Sequence, residues 1–248
     1  MTTIPTENIP WWEDFFDPTV ASIILKDLRP NETAFLEEHL ELTQAQSLFC
    51  QCCGWGRVAG PLKRKGYDVW GVDASLSLIE ASHERWDLEP SQVVCADAKD
   101  FTNPILCDAG VNLYSSFGYT NDDKQNQLIL EKLVASLKPG AKLILDTINP
   151  GRVKANFMKV MTEHKECGTE IKRESELSAN GKLLHQTWDF YSPKGTHFRR
   201  YGQTRLYERE DLECLLVEAG CRPLYTLGCL QSSAYESESE RLIWVAQT

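Results

Sequence analysis

The chain has 248 residues, of which 36 are acidic and 26 basic, giving a net charge of −10 at pH 7. This length suits one large α/β domain with a sizeable core. The acidic balance disfavours a nucleic-acid substrate, because phosphate binding depends on basic surface. No apolar run reaches the roughly 18 residues of a membrane span, and the first ten residues lack a signal-peptide pattern. We therefore predict a cytoplasmic protein with no nucleic-acid or membrane partner.

The nine cysteines are odd in number and scattered along the chain. In a reducing compartment they behave as small buried hydrophobes. Cys50, Cys52 and Cys53 form the one dense group. A zinc site would need a second pair at ligand spacing, which the sequence lacks. We predict that this group packs at the end of a buried strand and that no metal is bound.

The N-terminal region has an aromatic pattern typical of an amphipathic helix. Trp11, Trp12, Phe15 and Phe16 fall on one helical face before Pro18. A second helix is predicted from Val20 to Leu28, and Pro30 and Asn31 open a third. The aromatic face either packs as ordinary core or closes over a substrate cavity. We predict a helical lid.

Residues 47–75 have the pattern of a strand, a turn, a helix and a second strand. Gly54 and Gly56 lie in the turn, ahead of a helix predicted over residues 57–65. Small residues there let a ligand approach the backbone and the helix N-terminus. Asp73 closes the second strand, where a carboxylate can accept hydrogen bonds from both ribose hydroxyls. The unit is predicted to bind a nucleoside.

The same segment resembles motif I of class I S-adenosylmethionine-dependent methyltransferases. Residues 53–57, CGWGR, resemble the family's CGTGR, and residues 71–75, GVDAS, resemble its GVDxS. Two positions depart from the family pattern. Cys50 stands where the resemblance implies an acidic residue that orients the amino group of the cofactor's methionine, and Cys52 replaces the first glycine.

The resemblance continues through the next three strands. A third strand at residues 92–95 precedes Asp97 and Ala98, where the family pattern places a carboxylate against the adenine amine. A fourth strand at residues 108–114 leads into SSFGY at 115–119, which resembles motif IV, facing the transferable methyl group. A helix at 121–137 and a fifth strand at 141–146 follow, in LKPGAKLILDT. We expect Tyr114 and Tyr119 to line the methyl-transfer site.

The pattern changes after residue 147. A helix is predicted from Arg152 to Thr162, followed by three β-runs at 169–178, 183–191 and 196–207. Asn180-Gly181 between two alternating runs is a strong hairpin signal. We predict an antiparallel meander inserted into the core, which serves as a substrate-specificity element or as the interface of a homodimer.

The last residues complete the sheet. An amphipathic helix is predicted from Glu208 to Glu218, then a sixth strand at 221–229 and a seventh at 241–246, which the resemblance places antiparallel beside the fifth. The predicted fold is α/β, with a doubly wound, seven-stranded, mostly parallel sheet. We predict a single domain: a lid at 1–45, a nucleoside-binding core at 46–150, the inserted helix and meander at 151–207, and the last helix and two strands at 208–248.

The resemblance implies transfer of a methyl group from S-adenosylmethionine to a nitrogen or oxygen of a small molecule or natural product, with S-adenosylhomocysteine as product. Cofactor binding is predicted for Cys52, Gly54, Gly56, Asp73, Ala74, Asp97, Ala98 and Tyr114. Substrate binding is predicted for Trp11, Trp12, Tyr119 and Trp188. Tyr119 and His185 are the candidate catalytic residues if the acceptor needs a base.

The sequence is compatible with two other hypotheses about function. Cys50 and Cys52 are compatible with a non-catalytic binding protein that keeps the fold but has a degraded motif I. A dinucleotide-dependent oxidoreductase would need a third glycine where Ala59 stands. For an enzyme, the aromatic residues in the lid and meander favour an acceptor that is neutral or cationic and partly apolar.

Overall fold

The computed structural model describes residues 10–24 and 29–248. The helices are α1 (Trp11–Phe15), α2 (Pro18–Ile24), α3 (Pro30–Leu40), α4 (Ala59–Arg64), α5 (Leu76–Trp86), α6 (Asp123–Ala135), α7 (Pro150–Ala155) and α8 (Arg209–Glu218). The strands are β1 (Ser47–Gln51), β2 (Asp68–Asp73), β3 (Val93–Cys95), β4 (Cys107–Asn112), β5 (Leu137–Ile148), β6 (Val160–His164), β7 (Glu170–Leu177), β8 (Leu183–Tyr191), β9 (His197–Arg205), β10 (Arg222–Leu227) and β11 (Arg241–Gln247). Residues 1–9 of the predicted lid, and residues 25–28 of its second helix, lie outside the described residues.

Seven strands form the main sheet in the order β10-β11-β5-β4-β1-β2-β3. Strands β3, β2, β1, β4 and β5 are neighbours in this order and run parallel to one another. Strand β11 pairs antiparallel with both β5 and β10. The predicted fold class is thereby confirmed, including the antiparallel last strand. In such a sheet the carboxyl ends of the parallel strands lie along one edge, where ligands bind.

Strand β1 lies at the centre of the core. Every residue of β1 is buried, because helices cover both faces of the sheet. Leu48 packs with α3, α4 and α5, whereas its neighbour Phe49 packs with α6 and α8 on the other face. Helix α3 is thus part of the core, and of the three N-terminal helices α1 and α2 lie over the carboxyl edge. No helix in the described ranges is long and apolar enough to cross a membrane.

The inserted sheet has four strands, in the order β6-β7-β8-β9, instead of the three predicted. The extra strand, β6, covers residues that were predicted to end a helix. Helix α7 stops at Ala155, and the side chains of β6 alternate between exposed and half-buried. The β-branched Val160 and Thr162 favour that extended pairing with β7.

The two faces of the meander have different surroundings. Ile171 and Phe190 are buried against Phe15 of α1 and Val20 of α2. On the opposite face Asp189 exposes 2% of its side chain and accepts hydrogen bonds from Arg199, at 2.9 and 2.8 Å, and from His197, at 2.7 Å. The homodimer through this sheet stays a prediction.

Replacing Arg199 by methionine should lower the free energy of unfolding by about 1 kcal/mol at neutral pH, since half of Arg199 is exposed. The hydrogen bond from Arg199 is the main cause that lowers the pKa of Asp189. The stability it contributes is present above the ordinary pKa of about 3.9 and is lost as the pH falls through the lower folded value. Urea denaturation at several pH values measures both effects. An identical acid dependence in the variant would contradict this role, and Lys194→Met, at an exposed position in the turn between β8 and β9, is the control.

Candidate active site

A cavity of about 430 Å³ opens at the carboxyl edge of the main sheet. This volume lies within the usual range of small-molecule sites, about 300–1,000 Å³. The carboxyl ends of the main-sheet strands form its floor, and the meander forms one wall. Helix α1 and the residues that connect it to α2 cover the cavity. Among the predicted site residues, it is lined by Trp11, Trp12, Cys52, Gly54, Asp73, Ala74, Asp97, Ala98, Tyr114, Tyr119 and Trp188.

Asp73 holds the turn that follows β1. One carboxylate oxygen accepts the N–H of Gly54 at 2.8 Å, and the other accepts the N–H of Ser75 at 2.9 Å. A carboxylate has about four lone-pair sites, so each oxygen can accept a further hydrogen bond from a ligand. Burial raises the pKa of Asp73, and the two backbone hydrogen bonds oppose that shift.

The turn itself needs left-handed backbone at three places. Cys52, Gly54 and Gly56 have φ of 56°, 54° and 80°. At Gly54 an added Cβ would meet only Leu78, at 3.9 Å, so the backbone is open toward the cavity. Cys52 adopts the conformation that its side chain disfavours, at a cost on the order of 1 kcal/mol.

Gly56 is a correction to the sequence prediction, because the structure does not place it at the cavity. An added Cβ there would lie 3.0 Å from Trp86 and 3.0 Å from Leu88. Gly56 therefore allows the turn to pack against the end of α5. Its neighbours Trp55 and Arg57 line the cavity instead.

The cysteines beneath the turn are neutral. Burial raises the pKa of Cys50 to about 12, with the charge of Asp73 adding to the shift, and raises the pKa of Cys52 and Cys53 as well. Cys50 exposes 3% of its surface and lines the cavity without offering a negative charge. In the described part of the chain, no group of three or more His, Cys, Asp or Glu residues is placed to hold a metal ion.

Asp97 lies after β3, beside Ala98 and next to the same cavity. Its carboxylate accepts the backbone N–H of Lys99 at 3.0 Å and the Lys99 ammonium at 2.9 Å. The parallel pairing of β2 with β3 sets Asp73 opposite Cys95, which brings both acidic residues to one end of the cavity.

The segment after β4 is held by a network that the sequence did not reveal. Asp146, fully buried in β5, accepts the N–H of Tyr114 at 2.7 Å and the Nε of Arg241 at 2.6 Å. Arg241 also donates to the Ser115 hydroxyl at 2.7 Å. Tyr114 and Ser115 have φ of 60° and 63°, so this network stabilises a backbone conformation that L-residues disfavour.

A second cavity, of about 270 Å³, lies beside the first and shares Arg57, Tyr114 and Arg241 with it. The Arg57 guanidinium lies 3.5 Å from the centre of the Tyr114 ring. Burial raises the pKa of Tyr114 to about 12, and within the described ranges its hydroxyl has no hydrogen-bond partner. The Tyr114 hydroxyl is therefore available to a ligand where the two cavities meet.

The lid contacts the segment after β4 through aromatic rings. The centroids of Trp11 and Tyr119 are 4.7 Å apart, and Phe16 stacks on Tyr119 at 5.8 Å. Trp11 Nε1 donates to the backbone oxygen of Tyr119 at 3.0 Å. The Ser75 hydroxyl donates to the backbone oxygen of Phe16 at 2.9 Å, which attaches the lid to the end of β2.

His185 lies outside the cavity, which corrects its place in the predicted site. It lies on β8 one residue from Gln186, which lines the cavity, and successive side chains of a strand point to opposite faces. Its Nδ1 is 2.7 Å from the Tyr201 hydroxyl on the outer face. In the described chain, no histidine lines the cavity.

Tyr119 lines the cavity but is a weak base. Burial is the main cause that raises its pKa, with Cys52 and Asp73 adding to the shift. The phenol is therefore protonated at neutral pH.

The comparisons with known proteins agree with this geometry. Residues 50–140 match the family described as "Methyltransferase domain". A search of curated proteins finds no match.

Solved structures share the whole architecture. An S-adenosylmethionine-dependent methyltransferase from Clostridium acetobutylicum superposes with a TM-score of 0.77 at 17% identity, over 94% of this chain and 96% of that one. The sugar N-methyltransferase KedS8 from Streptoalloteichus gives 0.71 at 21% identity, over 100% and 96%. S-adenosylmethionine-bound CalS10, an amino pentose methyltransferase from Micromonospora echinaspora, gives 0.70 at 19% identity, over 90% and 92%. At such identities the likeness shows a shared fold.

Residues 50–140 thus match a methyltransferase domain, and the whole chain has the fold of S-adenosylmethionine-dependent methyltransferases, as the motif I resemblance predicted.

Proposed function

We propose that this protein transfers the methyl group of S-adenosylmethionine to an amino nitrogen of a small molecule, with a hydroxyl oxygen as the second candidate acceptor. The observation that carries the proposal is that one cavity has nucleoside-type carboxylates at one end and an aromatic wall at the other, with no histidine among the described residues that line it. The structural neighbours that act on amino sugars support a sugar or similar natural-product scaffold for the acceptor.

The donor half of the cavity suits S-adenosylmethionine. Asp73 has acceptor capacity left for ribose hydroxyls, and Asp97 lies where the adenine amine is expected. Gly54 leaves the backbone open, and Ala74 and Ala98 offer small apolar surfaces. We propose these five residues, with Cys52 and Tyr114, as the cofactor-binding set.

The acceptor half is formed by Trp11, Trp12 and Tyr119 together with Trp188 of the meander. Aromatic faces bind both apolar ring surfaces and cationic heads, the latter for about 0.5–2 kcal/mol each. Arg200 of β9 donates to Asp17 at 2.9 Å, which joins the lid to the meander across this half of the cavity. We propose that closure of this contact encloses the acceptor.

The chemistry favours nitrogen because the acceptor half of the cavity, as far as the described residues form it, offers no ready base. When bound, S-adenosylmethionine supplies a methyl group that its sulfonium already activates. An amine that arrives uncharged attacks with its own lone pair and loses a proton to water afterwards, whereas a hydroxyl needs a base during attack. Tyr119 stays protonated, and holding the acceptor in place can supply on the order of 7–11 kcal/mol.

The test is release of S-adenosylhomocysteine from S-adenosylmethionine with a panel of amino sugars and their hydroxyl counterparts. We expect turnover with amines and a product whose mass rises by one methyl group. Absence of S-adenosylmethionine binding in the millimolar range would refute the function and would favour the repurposed binding protein. Turnover confined to the hydroxyl panel would move the acceptor from nitrogen to oxygen.

Replacing Tyr119 by phenylalanine should lower kcat no more than about tenfold, because a protonated phenol positions the acceptor and does not remove its proton. The aromatic contacts of Tyr119 with Trp11 and Phe16 are kept in this variant. Steady-state rates at several pH values measure the effect. A loss of a thousandfold, together with the disappearance of a pH-dependent limb, would show that Tyr119 is the base after all.

A further inference from the structure

We infer that the methyl acceptor carries an acidic group, a carboxylate or a phosphate, and that Arg173 binds it at the meander side of the cavity. The inference rests on the proposed function and names a feature of the acceptor that the aromatic residues do not predict.

Arg173 belongs to the inner face of the meander. It lies on β7 opposite Trp188 of β8, and both side chains line the cavity. The guanidinium carbon is 4.9 Å from the centre of the Trp188 ring. The ring therefore supports one face of the guanidinium and leaves its edge for hydrogen bonding.

The other arginines of the meander strands each have a carboxylate partner within the described chain. Arg199 donates to Asp189 at 2.8 Å, Arg200 to Asp17 at 2.9 Å and Arg205 to Asp123 at 3.0 Å. Arg173 differs, since its nearest carboxylate oxygen in the described residues is that of Glu163, 3.9 Å away. That distance is beyond a hydrogen bond.

Glu163 is already engaged elsewhere. Its other oxygen accepts from the Lys165 ammonium at 2.7 Å. The hydrogen bond recorded for Arg173 goes to the Met161 sulfur at 3.4 Å, which is a weak acceptor. Burial lowers the pKa of Arg173, and Glu163 only partly opposes that shift.

The guanidinium of Arg173 is half-buried and has five N–H donors, but the hydrogen bond recorded for it goes to a weak acceptor, so its hydrogen-bonding capacity is incompletely used. A carboxylate or phosphate that approaches its edge can accept two parallel hydrogen bonds, which is the geometry that arginine favours. Gln186 and Thr204 line the cavity from the neighbouring strands, on the same face as Arg173, and add neutral polar groups there. The Trp188 ring then packs against the apolar part of the same molecule.

The acidic group and the reacting amine would lie on different walls of the cavity. Tyr119 and the lid aromatics form the wall beside the cofactor residues, while Arg173 belongs to the meander. An acceptor with both groups would be held at two points. The spacing between its acidic group and its amine would then determine whether the amine reaches the methyl group. Arg173 is thus a specificity-determining residue of the proposed reaction.

The test compares acidic probes with neutral partners of the same shape, on the protein loaded with S-adenosylhomocysteine. One pair is indole-3-acetate and indole-3-acetamide, and a second is glucosamine 6-phosphate and glucosamine. Titration calorimetry gives both affinities for the wild type, Arg173→Gln and Arg173→Lys. Lys172→Gln is the matched control, because it removes the same charge from the opposite face of β7.

We expect the acidic member of at least one pair to bind about tenfold more tightly than its partner to the wild type and to Lys172→Gln. Arg173→Gln should abolish that preference and Arg173→Lys should keep part of it. The pair that shows the preference distinguishes a carboxylate from a phosphate. Equal binding within both pairs, a preference that survives Arg173→Gln, or one lost equally in Lys172→Gln would overturn the inference. Failure of S-adenosylhomocysteine to bind would instead refute the proposed function.

Discussion

Replacing Asp73 by alanine should weaken S-adenosylhomocysteine binding by about a hundredfold or more. Two charge-assisted hydrogen bonds to ribose hydroxyls would be lost, each contributing roughly 1.5–3 kcal/mol. The variant should also be less stable by about 1–2 kcal/mol, because Asp73 accepts the N–H groups of Gly54 and Ser75. The structure thus predicts an effect on stability in addition to the effect on binding that the position of Asp73 at the end of β2 suggests.

Calorimetry with S-adenosylhomocysteine and thermal unfolding without ligand separate the two effects. Asp68→Ala is the matched control, since Asp68 lies at the opposite, exposed end of the same strand. Unchanged affinity in Asp73→Ala would show that the nucleoside site is elsewhere. An equal loss in Asp68→Ala would indicate a general weakening of β2.

Cofactor affinity and protein stability should depend on pH in opposite directions, because both depend on the charge of Asp73. Burial raises the pKa of Asp73 above its ordinary value of about 3.9. Binding needs the charged form, so affinity should fall as the pH decreases through that raised value. The ligand-free fold favours the protonated form, so the pH-dependent part of the stability that Asp73 contributes is present at low pH and is lost as the pH rises through the raised value. The hydrogen bonds from Gly54 and Ser75 remain at neutral pH and account for the loss of stability expected in the alanine variant. The alanine variant should show neither dependence.

The ends of the parallel strands could be predicted from the sequence. Asp73 and Asp97 each follow a short apolar run after a helix, and parallel strands bring their carboxyl ends to one edge. The Asn180-Gly181 turn likewise predicted the hairpin of the meander, because a turn of this kind determines the register of the two strands that it joins. These features depend on neighbours in the chain.

The remainder of the site depends on contacts between distant residues. Asp146 and Arg241 are 95 positions apart and meet only because β11 inserts antiparallel beside β5. His185 was misplaced because a shift of one residue along a strand moves a side chain to the other face. The positive φ of Cys52 could not be predicted, since the composition of the turn argued against it.

The double substitution Cys50→Asp and Cys52→Gly should tighten S-adenosylmethionine binding about tenfold or more. In the family pattern an acidic residue at position 50 meets the ammonium of the methionine, and a charged hydrogen bond of this kind contributes roughly 1.5–3 kcal/mol. The thiol at that position is neutral, since burial raises its pKa to about 12.

The two changes should differ in their effect on the ligand-free protein. Cys52→Gly relieves a φ of 56°, worth about 1–2 kcal/mol, but it adds about 0.4–1 kcal/mol of unfolded-state entropy, so stability should change little. Cys50→Asp places a carboxylate where 3% of the surface is exposed and Asp73 is a neighbour. That variant should unfold at a lower temperature without ligand and gain more on binding, because the ammonium then compensates the buried charge.

Cys50→Asn is the control that separates charge from size, and it should leave affinity close to that of the wild type. Thermal unfolding with and without S-adenosylmethionine, together with calorimetry, measures each variant. Unchanged or weaker binding in the double variant would mean that the methionine end lies against other groups. Arg57 is then the first to examine, because its guanidinium lies on the Tyr114 ring at the junction of the two cavities and could bind the methionine carboxylate in place of the missing contact to its ammonium.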